Sequence, residues 1–467
     1  MNQNQLPLSV HSSPHHQKGD LVEIEITDLA DNGDGVGRFG QLVVFVPDTT
    51  PRDRVMVELV QVKPSFANGK LHQILEPSEH RIRPRCIVAD KCGGCQWQHI
   101  DYKYQLQAKE NQIIQALERI GGLNECPVSP ILANPKHKDL GYRNKATYPL
   151  GLSKTLQVQA GYYQKGSHRI INLNQCPVQD KRLNPLLEEV KQDLLYQNWP
   201  VYDEKKHSGE LRHLSLRIGR RTGEMLLTLV VKTGKLPELE NQAQEWLERY
   251  PQLVGVCLNY NSEKTNRIFG EKTRCIAGQP YVREQFAGLE FQLKPDTFFQ
   301  VNTEVAEALL EMILDELQLK GSEVLLDAYC GIGTFTLPLA KRVKNAIGVE
   351  MQQTAVEQAG LNAALNGLMN VTFQTGKVEN ILPQLDIQPD IVLLDPPRKG
   401  CDRAVLETLV KLQPERIVYV SCKPTTLARD LKFLCETGGY QLTRVQPADF
   451  FPQTSHVECV AFLSIPH

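Results

Sequence analysis

A cysteine near the C-terminus holds a position suited to covalent chemistry. Cys422 follows the apolar run 417–420, which predicts a buried strand, and precedes a segment that predicts a helix. In open α/β sheets, substrates bind at this carboxyl edge of the strands. Because most free cysteines are small core residues, Cys422 considered alone is consistent with either a nucleophile or core packing.

Two carboxylates near the C-terminus could act with such a thiol. Asp395 opens the sequence Asp-Pro-Pro-Arg directly after the apolar run 391–394, and stiff prolines can hold polar groups against the plane of a ring. Glu458 lies in a polar break of a late strand and could remove a proton from a bound substrate. Without a partner such as Cys422, Glu458 reads as an ordinary surface residue.

A second group of cysteines has the spacing of a metal or cluster site. Cys86, Cys92 and Cys95 form a Cys-x5-Cys-x2-Cys pattern. Cys176, followed by proline as in many iron–sulfur sites, is the best fourth ligand, and Cys126-Pro127 is its rival. Zinc accepts the same four sulfurs. The spacing differs from the Cys-x3-Cys-x2-Cys of radical enzymes, which favours a structural or RNA-docking role.

A glycine-rich turn after another apolar run predicts a nucleoside site. Gly331 and Gly333 follow Tyr329, and Glu350 ends the next predicted strand about twenty residues on. An acid at this offset can accept both ribose hydroxyls. The turn lacks the third glycine of a pyrophosphate site, so S-adenosylmethionine, which has a ribose and no phosphates, is the cofactor that suits it.

The elements that must position these residues belong to several domains. The chain has 467 residues, 41% hydrophobic and 23% charged, with a formal net charge of −2, which predicts a multi-domain globular protein. Residues 1–16 read as a disordered tail. No apolar run is long enough to span a membrane. Twelve cysteines without an export signal indicate a reducing compartment, hence a cytoplasmic location.

The N-terminal half reads as RNA-binding. Short β-runs over residues 17–77 predict an OB-like barrel. Residues 78–285 predict an α+β central domain that holds the cysteine site, and its helix at 102–120 could pack on the catalytic domain. Residues 136–169 contain seven Lys or Arg and one acid, interleaved with Tyr142, Tyr148, Tyr162 and Tyr163, a composition that suits single-stranded RNA. The strand at 211–218 adds a second polar face with His213, Ser215 and Arg217.

Residues 286–467 alternate strands and helices, which predicts a Rossmann-like α/β domain with a parallel sheet. A helix is predicted at 304–317, and strands at 324–327, 346–349 and 391–394.

Five ordered motifs give the chain a specific resemblance. They are Phe-Gln-Val-Asn at 299–302, the turn at 329–335, Asp-Pro-Pro-Arg at 395–398, Ser-Cys-Lys-Pro at 421–424 and His-Val-Glu at 456–458. In this order they closely resemble the RNA uracil-C5 methyltransferases, and within them the 23S ribosomal RNA type with a TRAM domain and an iron–sulfur cluster. The resemblance covers nearly everything from residue 17 onward.

The resemblance implies roles for individual residues. Cys422 would be the nucleophile and Glu458 the general base. The residues that contact the cofactor or the target nucleobase would be Gln300, Tyr329, Glu350 and Asp395. The [4Fe–4S] ligands would be Cys86, Cys92, Cys95 and Cys176. The chain departs from the family pattern at Thr334, Lys377 and Lys423, and Lys423 could add positive charge beside the thiol.

The predicted activity is therefore transfer of a methyl group from S-adenosylmethionine to C5 of a uridine in 23S ribosomal RNA, by a monomer without an obligate protein partner. Three alternatives stay open: a transfer RNA substrate, an idle RNA-binding or assembly factor, and a base-amine methyltransferase. The barrel and the cysteines argue against transfer RNA, since enzymes directed to it usually lack both.

Overall fold

The computed structural model describes residues 17–123, 125–136 and 138–466. They divide into two compact units. The first comprises the described chain through Pro84 together with Gln96–Asp101, and the second comprises Arg85–Cys95 and the chain from Tyr102 onward. The tail predicted at residues 1–16 lies outside the described residues.

The first unit contains a closed barrel with strand order β1-β2-β3-β5-β4, as the short β-runs predict. In β1 the side chains of Val22, Ile24 and Ile26 point into the core, while Glu23 and Glu25 between them are exposed. This alternation of period two is what gives the barrel one apolar face. The strands are β1 (Leu21–Leu29), β2 (Gly35–Phe39), β3 (Leu42–Val46), β4 (Arg54–Val62) and β5 (Phe66–Glu76).

The second unit begins its regular structure with α1 (Tyr102–Ala116), which continues as a π-helical turn over Leu117–Gly121. A mixed sheet follows, with strand order β12-β11-β10-β9-β6-β7-β8. Its strands are β6 (Lys145–Leu152), β7 (Val158–Tyr163), β8 (Ile170–Asn172), β9 (Leu211–Ile218), β10 (Met225–Val231), β11 (Leu253–Tyr260) and β12 (Lys272–Gly278).

Two helices cover this sheet, as the α+β class predicted for the central domain requires. They are α2 (Asn184–Tyr196) and α3 (Leu239–Arg249). In α2 the buried Leu186, Leu187, Val190 and Leu194 recur at helical spacing, so the signal for a helix was present in the sequence.

The hairpin β13 (Val282–Phe286) and β14 (Leu289–Leu293) leads to the catalytic sheet, whose order is β17-β16-β15-β18-β19-β21-β20. Strands β15 to β19 are parallel, and β20 and β21 are antiparallel, as strand–helix alternation predicts. The strands are β15 (Val324–Ala328), β16 (Asn345–Glu350), β17 (Val371–Thr375), β18 (Ile391–Leu394), β19 (Arg416–Ser421), β20 (Gln441–Ala448) and β21 (Glu458–Ser464).

Apolar clusters lie on both faces of this sheet. One includes Ile113 and Leu117, so α1 and its π-turn pack on the catalytic sheet. The covering helices are α4 (Thr303–Leu317), α5 (Thr336–Ala340), α6 (Gln353–Leu365), α7 (Val378–Ile381), α8 (Arg403–Leu412) and α9 (Pro424–Glu436). Among the described helices, none is both long and apolar enough to cross a membrane.

Candidate active site

Strand register brings Cys422 and Glu458 together. Strands β19 and β21 pair with Ser421 opposite Cys459. Continuing this antiparallel register by one residue places Cys422 opposite Glu458. Directly opposed residues have Cβ atoms about 4.5–5.5 Å apart and point to the same face. A thiol and a carboxyl group 36 positions apart in the sequence therefore meet at the carboxyl edge of the sheet.

Asp395 approaches the thiol from the other side. Strand β18 runs parallel to β19 with Leu394 beside Tyr419, so Asp395 is the first residue beyond that paired strand. Because β19 lies between β18 and β21 in the sheet, Asp395 and Glu458 flank Cys422 from its two neighbouring strands.

The charges around Cys422 hold it as a thiol in the resting protein. Burial raises its pKa first, followed by the negative fields of Glu458 and Asp395. Arg398, three residues beyond Asp395, is the cation that lowers the pKa. The nearest positive influence is thus Arg398, whereas the side chain of Lys423 belongs to an exposed residue at the start of α9.

The pKa values of the two carboxyl groups are themselves shifted towards neutral pH. Burial raises the pKa of Glu458 to about 7, opposed by Arg398. Burial and the nearby Glu458 raise the pKa of Asp395 to about 8. A general base with a pKa near the working pH is best placed to accept and release a proton, which is the task assigned to Glu458.

The turn after β15 has the geometry of a nucleoside site. Tyr329 has φ of 91° and Gly331 has φ of 54°. A Cβ added at Gly331 would meet nothing within 4 Å, so the space above the turn is open. Glu350 accepts hydrogen bonds from Gly331 N at 3.2 Å and Gln352 N at 2.8 Å. Its carboxylate has further lone pairs for ribose hydroxyls, and these residues fit S-adenosylmethionine.

Asp327 lies in β15 just before this turn, and the sequence analysis did not identify it as a site residue. It is buried in β15, and one carboxyl oxygen, Oδ2, accepts from Thr336 Oγ1 at 2.5 Å while Oδ1 has no hydrogen-bond partner in the protein. Burial raises its pKa to about 7, helped by Asp395 and Glu350. A charged residue in an apolar strand, two positions before Tyr329, was the signal that could have identified it.

Gln300 is the fourth residue predicted at the cofactor or target nucleobase. It is buried just before α4, and its backbone carbonyl accepts a hydrogen bond from Asn144 Nδ2 at 2.8 Å. Within the part of the chain that the structure describes, its side chain makes no hydrogen bond to Tyr329, Glu350 or Asp395. Its role at the cofactor stays a prediction.

A buried network fixes the end of the segment that carries Asp395 and Arg398. Asp430 Oδ2 accepts hydrogen bonds from Tyr419 Oη at 2.6 Å and from Cys401 N at 2.9 Å. Gly400 has φ of 78°, and a Cβ there would lie 2.6 Å from Asp430 Oδ2, so glycine is required at this close approach. These contacts tie residues 395–401 to β19 and α9.

A cavity of about 320 Å³ lies beside this segment, yet it contains none of the predicted catalytic or cofactor residues. Its lining residues are Lys399, Cys401, Asp402, Arg403, Leu406, Arg429, Asp430 and Phe433. We place the site by the sheet edge, because the chemistry-bearing side chains converge there.

Cys176 lies near the other three cysteines of the predicted set, and their grouping as ligands stays a prediction. Burial raises the pKa of Cys176 to about 12, and the neighbouring thiols that add to this rise are Cys95, Cys86 and Cys92. Cys126 is elsewhere: its pKa is raised to about 11 by burial and then by Cys435. Cys176, and not Cys126, therefore joins the set. Among the described residues, no three His, Cys, Asp or Glu are grouped so that they could hold one metal ion.

The predicted RNA-stacking tyrosines and the basic strand face are largely internal. Tyr142 and Tyr148 are 1% and 0% exposed. Arg217 is buried and donates to Thr297 O at 2.5 Å, and Ser215 bonds with Thr147. The prediction is therefore wrong for Tyr142, Tyr148 and Arg217. Tyr162 and Tyr163 are half-buried, and Lys154 and Arg169 of the basic segment are exposed, so RNA contact by these residues stays a prediction.

The chain is similar to known RNA methyltransferases. The model of the tRNA (uracil-5-)-methyltransferase family matches residues 101–465, and that of the TRAM domain matches residues 16–72. The chain is 68% identical to an uncharacterized RNA methyltransferase of Nostoc sp. over 97% of each chain. It is 39% identical to one from Oceanobacillus iheyensis, over 97% of this chain and 98% of that one.

A solved structure matches along nearly the whole chain. It is the Pyrococcus abyssi tRNA (uracil-54, C5)-methyltransferase in complex with S-adenosyl-L-homocysteine, with 29% identity and a TM-score of 0.76, covering 95% of this chain and 100% of that one. The 5% left unaligned is shorter than the barrel, so a transfer-RNA enzyme shares much of that barrel. The barrel therefore does not argue against transfer RNA. The chain belongs to the tRNA (uracil-5-)-methyltransferase family and is an S-adenosylmethionine-dependent RNA methyltransferase with an N-terminal TRAM domain.

Proposed function

We propose that the chain methylates C5 of a specific uridine in 23S ribosomal RNA through a covalent adduct on Cys422. The observation that supports this proposal is the strand register, by which the thiol of Cys422 stands opposite the carboxyl group of Glu458, whose pKa burial raises to about 7. A base-amine methyltransferase needs neither group, and an idle RNA-binding factor has no use for the pair.

The chemistry requires a nucleophile because C5 of uracil is too electron-poor to take a methyl group directly. Cys422 releases its proton to solvent, and its sulfur forms a bond to C6 while the electron pair of the C5–C6 double bond moves into an enolate. C5 of the enolate then bonds to the methyl group of S-adenosylmethionine, which Tyr329 and Glu350 would hold at the turn, and S-adenosylhomocysteine leaves. Arg398 is the cation of this chain placed to favour the negative charge that develops.

The enzyme is released by proton removal. Glu458 takes the C5 proton, the electron pair re-forms the C5–C6 double bond, and the carbon–sulfur bond breaks to return Cys422. Since Glu458 is buried, its carboxylate is not fully solvated and is a stronger base than an exposed one. The target uridine has to leave its stack to reach this edge, so a uridine in a loop is the expected substrate.

Transfer RNA is the second candidate substrate, and a specific observation favours it: the Pyrococcus abyssi enzyme that matches this chain acts on tRNA. Ribosomal RNA is favoured by the four grouped cysteines, which resemble the 23S-directed type. The test is to offer unmodified 23S RNA and unmodified tRNA with labelled S-adenosylmethionine and to analyse the nucleosides. Labelled 5-methyluridine from 23S RNA is expected, and label confined to tRNA would replace ribosomal RNA as the substrate.

We further propose that Cys86, Cys92, Cys95 and Cys176 hold a [4Fe–4S] cluster. A single tetrahedral zinc would bring four sulfurs within about 3.8 Å of one another, because each lies about 2.3 Å from the ion. In a cubane cluster each thiolate binds a different iron, so the sulfurs stand farther apart. The proposal is supported by the resemblance and by the nearness of the other three thiols, which raise the pKa of Cys176.

The cluster is tested by anaerobic purification followed by iron and sulfide analysis and a visible spectrum. Cys176→Ser should lose most of the iron and the absorbance, while Cys126→Ser, the matched change outside the set, should keep both. One bound zinc with no visible absorbance would contradict the assignment.

A further inference from the structure

The connection between β20 and β21, residues 449–457, leads directly into the proposed base. Ala448 pairs with Glu458, so the connection starts and ends at the ladder position of that residue. His456 within it is near enough to Arg398 for that cation to lower its pKa, second to burial. The connection therefore borders the site as well as anchoring the first residue of β21.

Helix α1 holds the start of this connection through a buried ion pair. Lys109 Nζ lies 2.6 Å from Asp449 Oδ1, and both side chains are 0% exposed. Tyr102 Oη donates to Asp449 Oδ2 at 2.9 Å, and Lys109 Nζ donates to Phe451 O at 3.0 Å. Because two buried charges persist only when well paired and hydrogen-bonded, this end is rigidly specified.

Gln453 lies in the middle of the connection and is held there by its hydrogen bonds. Its φ of 71° places a non-glycine residue in the left-handed region, at a cost of roughly 1 kcal/mol or more. Hydrogen bonds offset this cost: Gln453 N donates to Gln105 Oε1 at 3.0 Å, Gln105 Nε2 donates to Gln453 Oε1 at 3.2 Å, and Gln453 Nε2 donates to Asp139 Oδ2 at 2.9 Å.

The residues that bind this part of the connection also contact residues near the predicted cysteine site. Asp139 also accepts from Arg85 Nη2 at 2.8 Å, and Arg85 precedes Cys86. Tyr142, which packs with Cys176, donates to Pro452 O at 3.1 Å. Asp139 and Tyr142 thus link the connection, at Gln453 and Pro452, to residues beside the cysteine set.

We propose that Gln453 is a positioning residue for Glu458, and that its bonds to Gln105 and Asp139 set the rate of the proton-abstraction step specifically. Addition of Cys422 to C6 occurs before that step and depends on β19, Asp395 and Arg398, none of which bonds to Gln453. This assignment rests on the proposed function, since Glu458 acts as a base only in that reaction.

Single-turnover experiments with two RNA substrates separate the steps. With 5-fluorouridine RNA the C5 substituent cannot leave as a proton, so the covalent complex reports thiol addition and methyl transfer alone. With ordinary uridine RNA, the lifetime of the methylated covalent complex reports proton removal. Gln453→Ala should form the fluorinated complex within about twofold of the wild-type rate and release methylated RNA about tenfold or more slowly.

Gln242→Ala is the matched control. Gln242 is also a buried glutamine whose side chain makes amide hydrogen bonds, to Gln197 and Glu245 on the central sheet's helices, and the lifetime should be unchanged. If Gln453→Ala does not fold, Gln105→Ala removes two of the three hydrogen bonds that hold Gln453 and should slow release in the same direction, by about threefold or more.

Each outcome decides the assignment. Slower release with normal adduct formation supports it. Release at the wild-type rate, or an equal slowing of both steps, overturns it. Absence of any covalent complex in the wild type would overturn the proposed function and this assignment together, so the two failures are distinguishable.

Discussion

The thiol of Cys422 lies between the buried carboxyl group of Glu458 and the half-buried carboxyl group of Asp395, with Arg398 as the opposing cation. An acidic surrounding disfavours a resting thiolate. It suits a reaction in which the thiol must stay unreactive until the target uracil is bound and must later be expelled from C6. The same carboxyl groups that raise the pKa of the thiol favour its return to the protonated form after elimination.

Asp395 should lower the free energy of unfolding as the pH rises. Its folded pKa, raised to about 8, means that folding takes up a proton between its unfolded pKa of about 4 and pH 8. Stability from this group is present at low pH and lost as the pH rises through that window. The free energy of unfolding of Asp395→Asn, measured relative to that of the wild type, should therefore rise by on the order of 3 kcal/mol from pH 5 to pH 8.

Thermal melting at the two pH values measures this gain. Asp315→Asn, which alters an exposed residue of α4, is the control and should show no such trend. A pH dependence in Asp395→Asn identical to that of the wild type would show that the Asp395 carboxyl is ionised in the folded protein.

At the scale of elements, the site depends on the packing of β16 under the cofactor turn. A Cβ at Gly348 would lie 2.6 Å from Phe373 Cδ1 and 2.7 Å from Cys330 Sγ. Gly348→Ala should therefore displace the turn, lowering stability by roughly 1–3 kcal/mol and weakening binding of S-adenosylhomocysteine.

Calorimetric titration and thermal melting test this prediction against Gly360→Ala. Gly360 lies in α6 with nothing within 4 Å of an added Cβ, and alanine in a helix is more favourable by roughly 0.5–1 kcal/mol. Equal cofactor affinity in Gly348→Ala and the wild type would contradict a turn supported from β16.

Sequence reasoning succeeded where local pattern and position along the chain sufficed. The strand Ile391–Leu394 has the predicted bounds, the helix Thr303–Leu317 starts one residue early, and the barrel is present. It failed for Tyr148 and Arg217, because the layers that bury them come from distant parts of the chain. The contact of Gln453 with Gln105 spans 348 positions, and no periodicity in the sequence encodes such a pair.

At the scale of the whole molecule, one chain combines a TRAM unit with a unit that contains the cysteine set and the catalytic sheet. The Pyrococcus abyssi tRNA enzyme aligns along almost the same length, so this overall plan serves at least one transfer-RNA substrate.

The most direct test of the account is the covalent complex itself. The wild type, Cys422→Ala and Cys459→Ala are each incubated with S-adenosylmethionine and 5-fluorouridine RNA, and the products are resolved by denaturing electrophoresis and peptide mass spectrometry. We predict a methylated complex attached at Cys422 in the wild type and in Cys459→Ala, and none in Cys422→Ala. A complex that persists in Cys422→Ala, or that maps to another residue, would contradict Cys422 as the nucleophile.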